Sequence, residues 1–297
     1  MTESAQKTIG FVGLGRMGRQ MAERLATHGF ALQVWNRTRG RATELAGATV
    51  ASSPRDAATG AAVVISSLAN DAAVRDVVLG ESGVLGGLAP DAVHVSTSTI
   101  SVRLARALAD AHADAQRAFV AAPVLGRPEA AGRGELWILT GGDAEARHRA
   151  KPALDILGQG QIHLGDPAQA LLGKILANSM IAGTLELLGE ATTLAEKGGI
   201  APADLVAMLT GTIFGSPVVK GYGPRLAARE FQPAGFTVPL GLKDIELALE
   251  AGHDHQSPLP VAAITRDHLL TALARGRADW DWSALATSIR QAAGLEG

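Results

Sequence analysis

The sequence predicts a doubly wound, parallel α/β sheet followed by an all-α domain, the two joined through one long interdomain helix. Three observations carry that prediction. The chain opens on strand, glycine loop, helix and strand within about thirty residues. Short apolar runs alternating with helical segments then continue to Leu164, the pattern of a parallel sheet covered on both faces. Beyond Gly165-Asp166-Pro167 no strand-like run of comparable quality follows. The expected domains are residues 1–166 and 167–297.

Composition narrows the function classes. At 297 residues the chain is long enough for a large core and about two domains. It is 47% hydrophobic and 19% charged with a formal net charge of −2, a balance that gives no electrostatic reason to expect nucleic acid or an anionic membrane as partner. It contains no cysteine, which excludes disulfides, thiolate nucleophiles and thiolate metal sites. The first apolar run, Ile9 to Leu14, is too short and too glycine-punctuated for a signal peptide or a membrane span of about 20 residues. A cytoplasmic location is therefore expected.

The first element is a strand over Thr8 to Val12, running straight into Gly13-Leu14-Gly15-Arg16-Met17-Gly18. Met21, Ala22, Leu25 and Ala26 follow at helical spacing, His28-Gly29 ends that helix, and Ala31 to Trp35 forms a second strand. In this context the three glycines have separate tasks. One makes the tight turn, one lets the backbone approach a pyrophosphate, and one lets helix and strand pack closely. The phosphates then rest on the helix N-terminus, where free amides and the dipole favour anions. The six residues of this loop are the expected core of a Rossmann-type dinucleotide site. The second strand ends on Asn36-Arg37-Thr38-Arg39, where a carboxylate would hold a free ribose 2′-hydroxyl. Here no carboxylate repels a 2′-phosphate, and Arg37 and Thr38 offer charge-assisted and hydroxyl hydrogen bonds to one. NADP(H) is the expected cofactor, with Asn36, Arg37 and Thr38 as contacts; Arg39 and Arg41 read as solvated helix positions.

The alternation then repeats. Ser53-Pro54 opens a short helix, Ala61 to Ser66 is a buried strand, and Asn70 caps a helix through Val78. Ala92 to Val95 is another strand, followed by Ser96-Thr97-Ser98-Thr99 and a helix over Ser101 to His112. Ligands of such sheets lie beyond the carboxyl ends of the strands, which makes Ser67, Leu68, Ser96 and Thr97 candidates to line the cleft; Ser98 and Thr99 read as helix caps. Arg117 to Ala121 and Glu135 to Leu139 are further strands, Asp143 caps a helix to Leu157, and Gln161 to Leu164 is a last short strand.

From Ala168 to Lys197 the sequence reads as one helix, about 45 Å long at 1.5 Å per residue, ended by Gly198-Gly199. It is apolar on most sides, yet places Lys174 one turn before Asn178, on the same face. Such a lysine is costly to bury without a task or a partner. Helices then start at Pro202, Pro224, Pro239, after Pro258 and Pro260, and at Ser283, with a turn region from Thr210 to Pro217. His253 and His255 flank an aspartate at a helix end and no other histidine pair has ligand spacing, so no metal site is expected.

These motifs, in this order, resemble the β-hydroxyacid dehydrogenase family, the group containing 3-hydroxyisobutyrate dehydrogenases and glyoxylate or succinic semialdehyde reductases. The resemblance covers nearly the whole chain. Gly13 to Ala22 is close to the family opening, Ser96-Thr97 matches its mid-domain Ser-Thr pair, Lys174 and Asn178 match its catalytic Lys-x-x-x-Asn, and Lys243-Asp244 its C-terminal pair. It implies a Rossmann domain, an all-helical second domain, a homodimer built partly through the long helix, and lysine-assisted hydride transfer. It assigns Lys174 and Asn178 to catalysis, Thr97 and Lys243 to the cofactor, and Ser96, Pro123, Val124, Leu125 and Gly126 to the substrate.

Carbonyl chemistry explains the lysine. Hydride comes from the nicotinamide, so the protein must orient the carbonyl and supply a proton to the developing alkoxide. An ammonium also stabilises that charge, and burial is expected to bring a lysine from about 10.4 toward about 7–8. Asn178 is placed to hold the lysine or the substrate. Two departures concern the substrate. The family's Asp-Ala-Pro-Val-Ser-Gly-Gly loop, whose Ser-Gly-Gly part holds a substrate carboxylate, reads Ala121-Ala122-Pro123-Val124-Leu125-Gly126-Arg127 here, and the family's aspartate ahead of the Ser-Thr pair is His94. Leu125 removes a hydroxyl and Arg127 replaces a glycine, which opens the site to bulkier or less acidic carbonyls unless Arg127 anchors a carboxylate itself. The expected function is an NADPH-linked reductase of oxo acids, aldehydes or ketones. An imine reductase or reductive aminase shares the fold, but Lys174 argues against it; a non-catalytic dinucleotide-binding scaffold is opposed by intact Lys174 and Asn178.

Overall fold

The computed structural model describes residues 8–296, which form two compact units dividing between Lys174 and Ile175. The expected boundary at 166/167 lies at the start of the helix in which this division falls; the outer ends of the two expected domains, residues 1–7 and 297, lie outside the described residues.

In the first unit the elements run β1 (Thr8–Val12), α1 (Arg16–Thr27), β2 (Ala31–Trp35), α2 (Arg39–Thr43), β3 (Thr49–Val50), α3 (Pro54–Ala58), β4 (Val63–Ser66), α4 (Asp71–Leu79), β5 (Val93–Ser96), α5 (Val102–Asp114) and β6 (Ala118–Ala121). All strand pairs are parallel, and the order is β3-β2-β1-β4-β5-β6. This is the doubly wound order whose direction reverses between β1 and β4, and ligands of such sheets bind at that reversal. β4 and β5 are buried at every residue, which is why their sequences read as continuous rather than alternating apolar runs. On α1, Gly18, Met21, Ala22 and Leu25 are buried, the stripe that a 3.6-residue period turns toward the sheet. Ser53, Asn70 and Asp143 cap α3, α4 and a later helix over Ala144–Leu157 as expected, accepting from Asp56 N, Ala73 N, and Glu145 N with Ala146 N.

The unit continues with β7 (Val124–Leu125), α6 (Pro128–Arg133), β8 (Leu136–Thr140), α7 (Ala144–Leu157) and β9 (Gly158–His163), which build a second sheet in the order β7-β8-β9. The expected substrate loop thus contributes a strand: Leu125 pairs with Trp137 in antiparallel register. Neither β3 nor β7, at two residues each, is long enough to leave a periodic signal.

The helix α8 (Pro167–Lys197) leads into the second unit, followed by α9 (Pro202–Gly211), α10 (Pro217–Ala228), α11 (Val238–Asp254), α12 (Pro260–Ala274), a 3-10 turn at Trp282–Leu285 and α13 (Ala286–Ala292). Pro224 does not open a helix. It lies inside α10, which starts at Pro217 where Ser216 Oγ accepts from Val219 N; the proline costs one internal hydrogen bond, and the helix is carried through by burial of Val219, Tyr222 and Leu226. The core centres on Trp282, whose indole donates to Tyr222 OH at 2.8 Å and meets Phe236 edge-on. α8 is long and apolar enough to cross a membrane by length and composition, but half of its most apolar stretch is buried within the protein. Its exposed side chains include Leu176, Met180, Leu187 and Leu194.

Candidate active site

The glycine loop sits at the reversal between β1 and β4, and its three glycines differ in their surroundings. A Cβ on Gly13 (φ +97°) would strike Ser67 O at 2.3 Å, and one on Gly18 would lie 2.0 Å from Gly13 O. These are backbone atoms, so only glycine allows this closeness. A Cβ on Gly15 would meet nothing within 4 Å. Gly15 precedes the 12-residue α1 without a side-chain cap, which leaves the crest of the loop open over a helix N-terminus. The first and third glycines thus serve packing while the middle one faces free space, the arrangement a pyrophosphate requires.

Asn36 ties this loop to the end of β2. Its Oδ1 accepts from Leu14 N at 2.9 Å and its Nδ2 donates to Thr38 O at 2.9 Å, so it fixes the turn that presents Arg37 and Thr38. Both are exposed. Thr38 precedes α2 without capping it, and among the described residues Arg37 makes no hydrogen bond or ion pair. A free guanidinium beside an uncommitted hydroxyl can accept an anion at no cost in existing bonds.

The end of β4 is the hub of the unit. Ser67 N donates to Val12 O at 2.9 Å, and Leu68 N donates to Ser98 Oγ at 2.8 Å. Neither Ser98 nor Thr99 therefore caps α5; Ser101 does, accepting from Leu104 N. Thr97 reaches back to Ser66 O with both its backbone N and its hydroxyl, at 2.9 and 3.0 Å. Ser96 Oγ is buried without a hydrogen-bond partner among the described residues. At the end of β6, Ala122 N donates to Ser96 O, and Pro123 and Val124 are buried, whereas Gly126 and Arg127 are exposed.

On α8, Lys174 and Asn178 are only 9% and 6% exposed, so the expected burial of the cation holds. The helix start packs tightly: a Cβ on Gly173 would meet Leu164 Cδ1 at 2.4 Å. In the second unit, Asn178 Nδ2 donates to Asp244 Oδ2 at 2.5 Å, and Lys243 Nζ lies 2.9 Å from Asp244 Oδ1. Asp244 is 2% exposed. One amide hydrogen of Asn178 is thereby directed to a carboxylate rather than to a substrate oxygen, which leaves its Oδ1 as the atom that accepts from an ammonium, and Asp244, which sequence reading gave no role of its own, orients it. Its only sequence signal was adjacency to Lys243. A buried aspartate on a helix needs such partners, but the residue that would supply them lies 66 positions away.

Residues 8–165 match the family described as the NAD binding domain of 6-phosphogluconate dehydrogenase, and residues 169–289 match that described as NAD-binding of NADP-dependent 3-hydroxyisobutyrate dehydrogenase. "Uncharacterized oxidoreductase YfjR" of Bacillus subtilis (strain 168) is 41% identical over 285 residues, covering 95% of this chain and 99% of that protein. "Glyoxylate/succinic semialdehyde reductase 1" of Arabidopsis thaliana is 30% identical, covering 95% and 98%. Among solved structures, Mycobacterium tuberculosis 3-hydroxyisobutyrate dehydrogenase with L-serine superposes with a TM-score of 0.87 at 29% identity, covering 96% of this chain and 99% of that one.

Proposed function

Because the chain belongs to the β-hydroxyacid dehydrogenase family and is thereby a nicotinamide-dinucleotide oxidoreductase, we propose that it is an NADPH-linked reductase of small carbonyl compounds with Lys174 as proton donor. The observation that carries this reading is the buried Lys174, one helical turn before an asparagine that Asp244 holds in place.

Gly13, Gly15 and Gly18 would hold the pyrophosphate, Arg37 and Thr38 the 2′-phosphate, and Ser67, Leu68 and Thr97 the wall of the site, with Lys243 as a further contact. When bound, the dinucleotide supplies the hydride. The lysine ammonium stabilises negative charge growing on the carbonyl oxygen and delivers the proton that makes it a hydroxyl. Its low exposure keeps competing water from that exchange. Asn178, fixed through Asp244, keeps the lysine's turn of the helix in one arrangement. Ser96, Pro123, Val124, Leu125 and Gly126 would meet the substrate, and Leu125 in place of a hydroxyl favours a bulkier or less acidic carbonyl than a short hydroxyacid.

A second copy of the chain is the partner we assign to α8, whose Leu176, Met180, Leu187 and Leu194 are exposed on one side. A cysteine-free chain suits a cytoplasmic location.

The test is NADPH oxidation against a panel of aldehydes, oxo acids and cyclic imines, with Lys174→Ala alongside. Carbonyl turnover that drops about 10²–10⁴-fold in Lys174→Ala, with cofactor affinity kept, supports the reading. Undiminished turnover in the variant overturns the role of the lysine, turnover of imines alone would favour an imine reductase, and binding without any turnover would favour a scaffold.

A further inference from the structure

Two buried histidines lie beside the dinucleotide loop's neighbouring strands without a part in the proposed chemistry. His94 on β5 and His112 on α5 are 0% and 1% exposed. Their ring planes lie within 20° of each other and meet edge to edge with centroids 5.0 Å apart, and both lie against Phe119 of β6. Burial holds both well down from the ordinary histidine value, so both are neutral near pH 7.

Neutrality fixes the direction of every hydrogen bond through them. His112 Nδ1 lies 2.6 Å from Leu108 O, which only accepts, so Nδ1 carries the proton and Nε2 does not. His94 Nδ1, at 3.0 Å from that Nε2, must then donate, which leaves His94 Nε2 as an acceptor. Ser66 Oγ lies 2.9 Å from it and donates its hydroxyl proton. One chain of bonds thus runs from Ser66 through two rings to a helix carbonyl, with no group left unsatisfied.

Ser66 is the residue from which the dinucleotide wall departs. Its carbonyl receives both bonds from Thr97, and the next residue, Ser67, abuts Gly13 and Gly18. The Cβ position at Gly18 is 3.2 Å from Ser67 Cβ, so the fit is sensitive to a displacement of a few tenths of an ångström.

We propose that His94 and His112 are positioning residues for the dinucleotide site, acting through the Ser66 hydroxyl to hold the end of β4 against the glycine loop and Thr97. The proposal rests on the reading that Ser67 and Thr97 line that site. It gives a purpose to the histidine found where the family pattern has aspartate.

The experiment is fluorescence titration of the full chain with NADPH, well below the melting temperature, for Ser66→Ala, His94→Phe, the double variant and Thr97→Val. Phenylalanine keeps a ring against Phe119 and removes both hydrogen bonds of His94. Ser66→Ala and His94→Phe should each weaken binding about five- to tenfold, and the double variant no more than the weaker-binding single, because both cut one chain. A dissociation constant within about twofold of wild type in either single variant, or factors that multiply in the double, overturns the proposal; a lowered melting temperature with unchanged affinity marks the pair as core packing only. Should His94→Phe fail to fold, Ser66→Ala, which deletes one oxygen, decides alone. Thr97→Val separates the two readings. If it binds NADPH as wild type does, the wall reading falls and takes the proposal with it; if it weakens binding while Ser66→Ala and His94→Phe do not, the proposal falls alone.

Discussion

Asn178 donates to Asp244 across 2.5 Å, with both residues buried. Removing the acceptor strands a buried amide hydrogen, which costs about 1–3 kcal/mol. Asp244→Ala should therefore lower the melting temperature by several degrees and reduce kcat, while Asp244→Asn, which keeps an acceptor oxygen, should lose less of both. Thermal unfolding and steady-state kinetics of the two variants check this. Equal melting temperatures and full turnover would show that the pair neither stabilises the helix contact nor orients Asn178.

Arg37 stands exposed and unpaired among the described residues at the end of β2. If it reads a 2′-phosphate, Arg37→Ala should raise the dissociation constant of NADPH about 10- to 100-fold, the worth of a charge-assisted hydrogen bond. NADH affinity should stay within about twofold, since that cofactor offers the arginine nothing to bind. Titration with both cofactors measures the ratio; an equal loss for both would assign the arginine to the fold of the loop.

The histidine pair makes stability depend on pH in a defined window. His112 is pushed down to about 4, mainly by burial, and His94 well below its ordinary value by burial and then by the neighbouring ring. An unfolded histidine titrates near about 6.5. As pH falls below that value the unfolded chain takes up protons that the folded pair refuses, so the contribution is whole above about 6.5 and drains away toward about 4. For His112 the loss is about 3 kcal/mol when complete. Glu186, raised by burial, works in the opposite direction as its carboxylate takes up a proton. Glu196, held at about 2 chiefly by its hydrogen bond from Arg290, begins to lose its share only below the ordinary glutamate value of about 4.3. Urea unfolding from pH 7 to 4 should show the decline, and replacing both histidines with phenylalanine should flatten it. A slope that persists in that variant would place the titrating groups elsewhere.

The assembly proposed for α8 predicts a dimer in solution by light scattering. Leu187→Glu sets a charge on the exposed stripe and should shift the mass to that of one chain. A mass indifferent to Leu187→Glu would exclude that stripe as the contact.

What the sequence makes legible follows from the range of the interactions involved. Gly13, Gly15 and Gly18 are readable because their constraint is local: a turn, a helix start and a close packing, all within six residues. The same holds for the caps Ser53, Asn70 and Asp143, and for Lys174 and Asn178, whose shared face is a matter of helix period. Ser98 and Pro224 show where local rules fail. A serine ahead of a helix is expected to cap it, but Ser98 takes the amide of Leu68, thirty residues back; a proline is expected to open a helix, but burial carries α10 through Pro224. The links from Asn178 to Asp244 and from Ser66 to His94 to His112 join residues 66, 28 and 18 positions apart. Only the tertiary fold brings them together, and nothing in residue spacing announces them.

The exposed apolar residues of α8 carry a geometric consequence of their own. Met180, Leu187 and Leu194 recur every seventh residue, with Leu176 four residues ahead of the first. A straight α-helix drifts by about 20° over seven residues, so a stripe with this repeat winds slowly around the helix. Any helix that followed it over its length would have to cross at a shallow angle of about 20° and coil in a left-handed sense. The handedness of whatever covers α8 is therefore written into the interval between its leucines.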